Sequence, residues 1–113
     1  MIEKVVRDYL VSVLDGVPVK TEIPGTMPAK FYLIEKTGGG LDEHIKRSTL
    51  VIQSYAPSMY EAASMSEEVV ALMLYGLVEQ DEIVSVSLNS EYNFTDTSQK
   101  KYRYQAVFDI IHY

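Results

Sequence analysis

The segment 83–113, IVSVSLNSEYNFTDTSQKKYRYQAVFDIIHY, decides the fold. Val84, Val86, Leu88 and Tyr92 alternate with Ser85, Ser87, Asn89, Glu91 and Asn93. After a polar stretch at 95–100, Tyr102, Tyr104, Ala106, Phe108 and Ile110 alternate with Arg103, Gln105 and Asp109. Strict period-two alternation predicts two strands, each with a buried and a wetter face. The stretch between them is short enough to be a hairpin loop.

Working back from that pair, Ser58-Met59-Tyr60-Glu61 has the form of a capping box at a helix start. The helix is expected to run to about Val78. Ala62, Ala63, Ser66, Val69, Val70, Met73 and Leu77 make its packing stripe. Met65 falls off that stripe and is expected to touch another subunit. Glu79-Gln80-Asp81-Glu82 then forms an acidic turn.

Before that helix, Phe31 to Glu35 reads as a strand apolar in both phases. Such a strand is covered on both faces or lies at an oligomer contact. Thr37-Gly38-Gly39-Gly40 reads as the loose tip of a hairpin, disordered in the free chain and ordered on docking. Its return strand spans about Ile45 to Tyr55, with Leu50 and Ile52 on one face and Thr49, Val51 and Gln53 on the other.

At the start of the chain, Ile2, Val5, Val6, Tyr9, Leu10, Val13 and Leu14 share one helical face. Asp15-Gly16 ends that helix, with Gly16 suited to a left-handed cap, and Pro18 forbids continuation. Val19, Thr21 and Ile23 suggest a short strand before Pro24. The order is α-β-β-β-α-β-β: a single α+β domain over 1–113, with about five mostly antiparallel strands and two helices.

Composition narrows the function. The 113 residues suit one domain, and the 47% hydrophobic content is that of an ordinary globular chain. No cysteine is present, which excludes disulfides and thiolate metal sites. Sixteen acidic and ten basic residues give a net charge of −6, which disfavours nucleic-acid binding. No apolar run reaches the roughly 20 residues of a membrane span, and the first residues lack a leader pattern. Lys46-Arg47 and the basic residues around 100–103 are short clusters near proposed hairpin tips.

The chemical candidates are weak. His44, among acidic and basic neighbours, reads as a general base or metal ligand beside a mobile loop, or as an exposed loop histidine. The second reading is favoured, because a catalytic group needs rigid placement. His112 reads as a surface histidine at a strand end. The triglycine segment lacks the Gly-Lys-Ser/Thr of a phosphate loop. Ser12, Ser58 and Ser64 have no nucleophile-elbow context. No catalytic, metal or cofactor site is assigned.

Element order and texture resemble the tail terminator (tail completion) proteins of long-tailed bacteriophages and prophages. The resemblance spans nearly the whole chain. It rests on the short helix opening at Ile2 and on Val19-Lys20-Thr21-Glu22-Ile23-Pro24 leading into Phe31-Tyr32-Leu33-Ile34-Glu35. The glycine segment, Leu50-Val51-Ile52-Gln53-Ser54-Tyr55-Ala56, the Ala-Ser-rich helix start and Tyr104-Gln105-Ala106-Val107-Phe108-Asp109-Ile110 complete it.

The resemblance implies a structural protein with no enzyme activity and no cofactor. It would form a hexameric ring on the head-proximal end of the tail tube, stop tube growth and join tail to head. Its partners would be copies of itself, the tail tube protein and a head–neck connector protein. It would reside in the virion tail, and in the bacterial cytoplasm during assembly. Phe31, Tyr32, Ile34, Gly38, Gly39, Gly40, Met65 and Tyr113 are the expected contact residues. Alternatives are another neck component, such as a head-closure or adaptor protein, or a small ligand-binding or enzyme domain using His44.

Overall fold

The computed structural model describes residues 1–113 except Pro24, Thr97, Gln99 and Lys100, with the backbone alone of Asp42. Its elements are α1 (Ile2–Val13), β1 (Val19–Lys20), β2 (Phe31–Asp42), β3 (Ile45–Ala56) and α2 (Met59–Tyr75). A 3-10 turn (Leu77–Glu79), β4 (Ile83–Asn93) and β5 (Tyr102–His112) follow. Two helices and five strands in this order make the α+β fold expected from the sequence.

The sheet order is β1-β2-β3-β5-β4. β1 pairs with β2 in parallel, through Val19 and Lys20 only, and every other pairing is antiparallel. The last strand is therefore not an edge extension of a hairpin. It is inserted between β3 and β4, and its backbone is hydrogen-bonded on both sides.

Both helices lie on one face of the sheet. Ile34, Leu50, Ile52, Ala106, Phe108 and Ile110 point toward them, alternating along their strands. Val6 and Leu10 of α1, and Ala62, Val69 and Met73 of α2, complete that core. Ser58 caps α2: Glu61 N–H donates to Ser58 Oγ at 3.2 Å, the first half of the expected capping box, while Ser58 Oγ–H donates to the Glu61 carboxylate at 3.1 Å. Gly16 takes a left-handed φ of 75°, just beyond the end of α1.

The structure corrects several expectations. Gly38, Gly39 and Gly40 are not the hairpin tip. They lie inside β2, paired with Thr49, Ser48 and Arg47. A ladder bond uses N–H and C=O alone, so a strand needs no side chain to pair. A bulge between Lys36 and Gly38 accommodates the segment. The tip is the two-residue turn Glu43-His44, with φ of 46° and 72°.

Met65 is also reassigned. It is 8% exposed and belongs to the core. It sits three residues after Ala62 and four before Val69, on the same buried stripe, which is rotated toward Met65 and leaves Ala63 and Val70 only partly buried. Its carbonyl accepts from the Tyr32 hydroxyl at 3.0 Å. Burial, with the Glu68 carboxylate adding to it, pushes that phenol well above the ordinary tyrosine range.

Phe31, Tyr32 and Ile34, expected at a subunit contact, are buried within the chain itself. Tyr32 and Ile34 enter the helix-side core. Phe31 stacks on Tyr55 on the opposite face, with ring centroids 4.4 Å apart, and Met27 packs against that pair. The doubly apolar strand is thus covered from both sides by its own chain. β1 is shorter than the alternation at 19–23 suggests. β4 departs from clean alternation through irregularities at Ile83/Ser85 and Leu88/Ser90, which leave Val84 and Leu88 exposed.

The helices meet where Gly76 ends α2. A Cβ at that position would overlap Tyr9 Oη and approach the Leu72 carbonyl at 2.9 Å. Gly76→Ala should lower stability by about 2 kcal/mol, the usual scale of overpacking. Urea unfolding measures this, and adding Tyr9→Phe should recover part of the loss.

Candidate interaction surface

Both helices pack on one side; on the other face Phe31, Leu33 and Tyr55, with Met27 against them, make a small second cluster, Val51 and Gln53 are buried beside it, and no helix covers the rest among the described residues. Alternation places Thr49, Val51 and Gln53 of β3 and Arg103, Gln105 and Asp109 of β5 there. These side chains bond across strands. Gln53 Nε2 donates to Gln105 Oε1 at 2.8 Å, and Gln105 Nε2 donates to the Tyr92 hydroxyl. Tyr55 Oη–H donates to Gln53 Oε1 at 2.9 Å. Arg103 Nη1 donates to Tyr55 Oη at 2.8 Å, and its Nε donates to the Phe94 carbonyl at 2.7 Å. The Arg103 guanidinium also sits over the Phe94 ring, 4.4 Å from its centroid. The bare face is an ordered polar and aromatic lattice.

At the hairpin end this lattice opens into a groove of about 440 Å³, bounded by Gly39, Gly40, Arg47, Thr49, Ser87 and Asp109. Gly40, paired with the groove-facing Arg47, has open space where a Cβ would stand, so no side chain fills the groove along β2. A Cβ at Gly39 would lie 2.8 Å from the Arg47 carbonyl. Asp109 accepts from Thr49 Oγ1 and from Asn89 Nδ2, both at 3.2 Å.

The sheet also has two unlike free edges. Beyond Leu33, residues 34–42 of β2 have no outer strand among the described residues, and β4 forms the other edge. Each edge carries a bulge or register irregularity, which discourages indiscriminate strand pairing.

Of the expected contact residues, Gly39 and Gly40 reach this surface, while Tyr113 is exposed just past the C-terminal end of β5, at the same hairpin end of the sheet. Residues 60 and 75, the most exposed tyrosines of α2, were not singled out by the sequence reading; their position off the packing stripe was the available signal. Arg47 and Asp109 belong together only because β3 and β5 pair, through Arg47↔Ile111 and Thr49↔Asp109.

His44 is exposed at the hairpin tip. His112 is not the surface histidine expected from its place in the sequence. It is 6% exposed and faces the helix side. Ser48 Oγ lies 2.7 Å from its Nε2, and the Tyr113 carbonyl lies 3.2 Å from Nδ1. A carbonyl only accepts, so Nδ1 carries the proton and Nε2 accepts from the serine hydroxyl. Ser48 is itself buried, and the imidazole is oriented by a main-chain oxygen rather than by an acidic side chain. The pair satisfies two buried polar groups and leaves no accessible nucleophile. Among the described residues no group of three or more His, Asp or Glu side chains could hold a metal ion. Among the described residues no helix is long and apolar enough to cross a membrane.

No protein-family model matches the chain, and no curated protein matches its sequence.

Two stability tests follow from this geometry. Burial holds the His112 imidazole below the ordinary histidine range, with Lys46, Lys36 and the N-terminal amine acting the same way and the Tyr113 carbonyl opposing them. Glu3 and Glu82 line the same recess. The unfolded chain therefore takes up the proton first. Its stability contribution is complete above the ordinary value near 6.5 and is lost as pH falls below it. Urea midpoints at pH 7 and pH 5 should differ more for the native chain than for His112→Gln. At the hairpin tip, both turn residues are in the left-handed region, which asparagine and glycine tolerate best. Glu43→Asn with His44→Gly should stabilise by about 1 kcal/mol, read as a higher thermal midpoint.

Proposed function

We propose that this chain is a structural subunit of a bacteriophage or prophage tail. It assembles with copies of itself into a ring, hexameric by the resemblance, on the head-proximal end of the tail tube. There it halts tube polymerisation and offers the surface to which a head–neck connector protein binds. It acts by contact rather than by making or breaking bonds, and needs no cofactor.

The observation that carries this reading is the one-sided cover of the sheet. Helices occupy one face, while the other carries an ordered polar and aromatic lattice, half-exposed along β5, and the sheet ends in two dissimilar edges. Ring closure requires two different patches on each subunit, so that contacts run head to tail. A small chain with unlike free surfaces meets that requirement. The α-β-β-β-α-β-β order adds support, being the order on which the resemblance rests.

Particles assembled without this chain should show overlong tubes or heads without tails by electron microscopy, and adding the purified chain should restore capped tubes. Tubes of normal length and fully joined particles in its absence would refute the reading. His44→Ala should cap tubes as well as the native chain does, whereas a histidine-dependent enzyme would be disabled by it.

A further inference from the structure

The groove at the hairpin end has a cation facing it that is not neutralised. Arg47 makes no ion pair among the described residues. Beside it, Thr49 and Ser87 contribute hydroxyls. Asp109 has one hydrogen bond on each carboxylate oxygen, so lone pairs remain for a further donor.

A second unpartnered surface lies on the opposite side of the chain. Tyr60, Ser64, Glu67, Ala71 and Tyr75 follow one another on α2 at steps of four and three, which places them on one helix face. All five are exposed, Tyr60 at 82% and Tyr75 at 78%. Glu67 is in the middle of the stripe and makes no ion pair among the described residues. Two large rings flanking small residues and a carboxylate do not serve the chain's own core.

We propose that the groove of one copy receives the outer face of α2 from a second copy, with Arg47 opposite Glu67 and a tyrosine ring seated among the groove's hydroxyls. The charges are complementary, and each is unneutralised in the single chain. A helix is the usual cover for a bare sheet face. Tyrosine has an apolar ring and a polar tip, which suits a wet groove with an acceptor such as Asp109. Because groove and helix face are different surfaces on opposite sides of the chain, the contact is heterologous and repeats from copy to copy. The proposal deepens the ring reading and rests on it.

The test uses charge exchange. Arg47→Glu leaves a chain with two acidic surfaces, and Glu67→Arg leaves one with two basic surfaces. Both positions are exposed, and far-UV circular dichroism checks that each variant folds. In analytical ultracentrifugation the native chain should associate, and each variant alone should associate at least tenfold more weakly. An equimolar mixture should recover association, because each reversed surface then meets its complement. Tyr75→Ser should weaken association without altering the fold. Native-like association of either single variant, failure of the mixture to recover, or a native chain monomeric up to millimolar concentration would overturn the proposal. Capped tubes that ignore the charge exchange would remove this contact and leave the ring reading standing. A mixture that recovers association but leaves tubes uncapped would keep the contact and remove the ring reading.

Discussion

The fold depends on the insertion of β5 between β3 and β4. Eleven residues of β5 are bonded to β3 on one side, and the same strand pairs with β4 on the other. Without it, β4 would have no neighbour and α2 would lack much of its floor, since Ala106, Phe108 and Ile110 supply the middle of the core. A central strand has both its N–H and C=O rows satisfied within the chain, so it must be right in register on two sides at once. The Ser48–His112 contact at 2.7 Å ties the end of that strand to β3 from the helix side. Thr49–Asp109 and Gln53–Gln105 tie the two strands from the other face.

That arrangement leaves the molecule two-sided. Apolar burial is concentrated where helices meet sheet, and the hydrophobic effect stabilises that layer without any directional requirement. The bare face is held in a different way, by side-chain hydrogen bonds running across β3, β5 and β4. Such bonds each add only about 1 kcal/mol net, but they fix the positions of polar groups that would otherwise sample many rotamers. A surface ordered in advance loses less entropy when a partner covers it. The link from fold to the proposed assembly is this preorganised face, together with a helix whose outer stripe has no task inside its own subunit.

Legibility in the sequence followed the physical range of each interaction. The strands at 83–93 and 102–112, the helix cap at Ser58 and Glu61, and the left-handed Gly16 all arise from neighbours a few residues apart, and all were readable. The glycines at 38–40 were misread because three residues without side chains resemble a loop. Their state is decided by Ser48, Thr49 and Arg47 on the facing strand. Met65 was misplaced because the stripe was centred on Ala63 and Val70, whereas packing against β3, β5 and β4 rotates it toward Met65. His112 was misplaced because its partner, Ser48, is 64 residues earlier.

The residues alone determined which segments become helix and strand, where most of them start and stop, and that one sheet carries two helices. Periodicity, caps and turn formers act locally and leave their mark in the order of residue types. Only the tertiary structure decided that β5 lies inside the sheet, that the hairpin turns at Glu43-His44, and that Arg47 and Asp109 border one groove. These follow from which strand edges meet, a choice made by simultaneous burial and backbone pairing across distant parts of the chain, and no short stretch of sequence contains it.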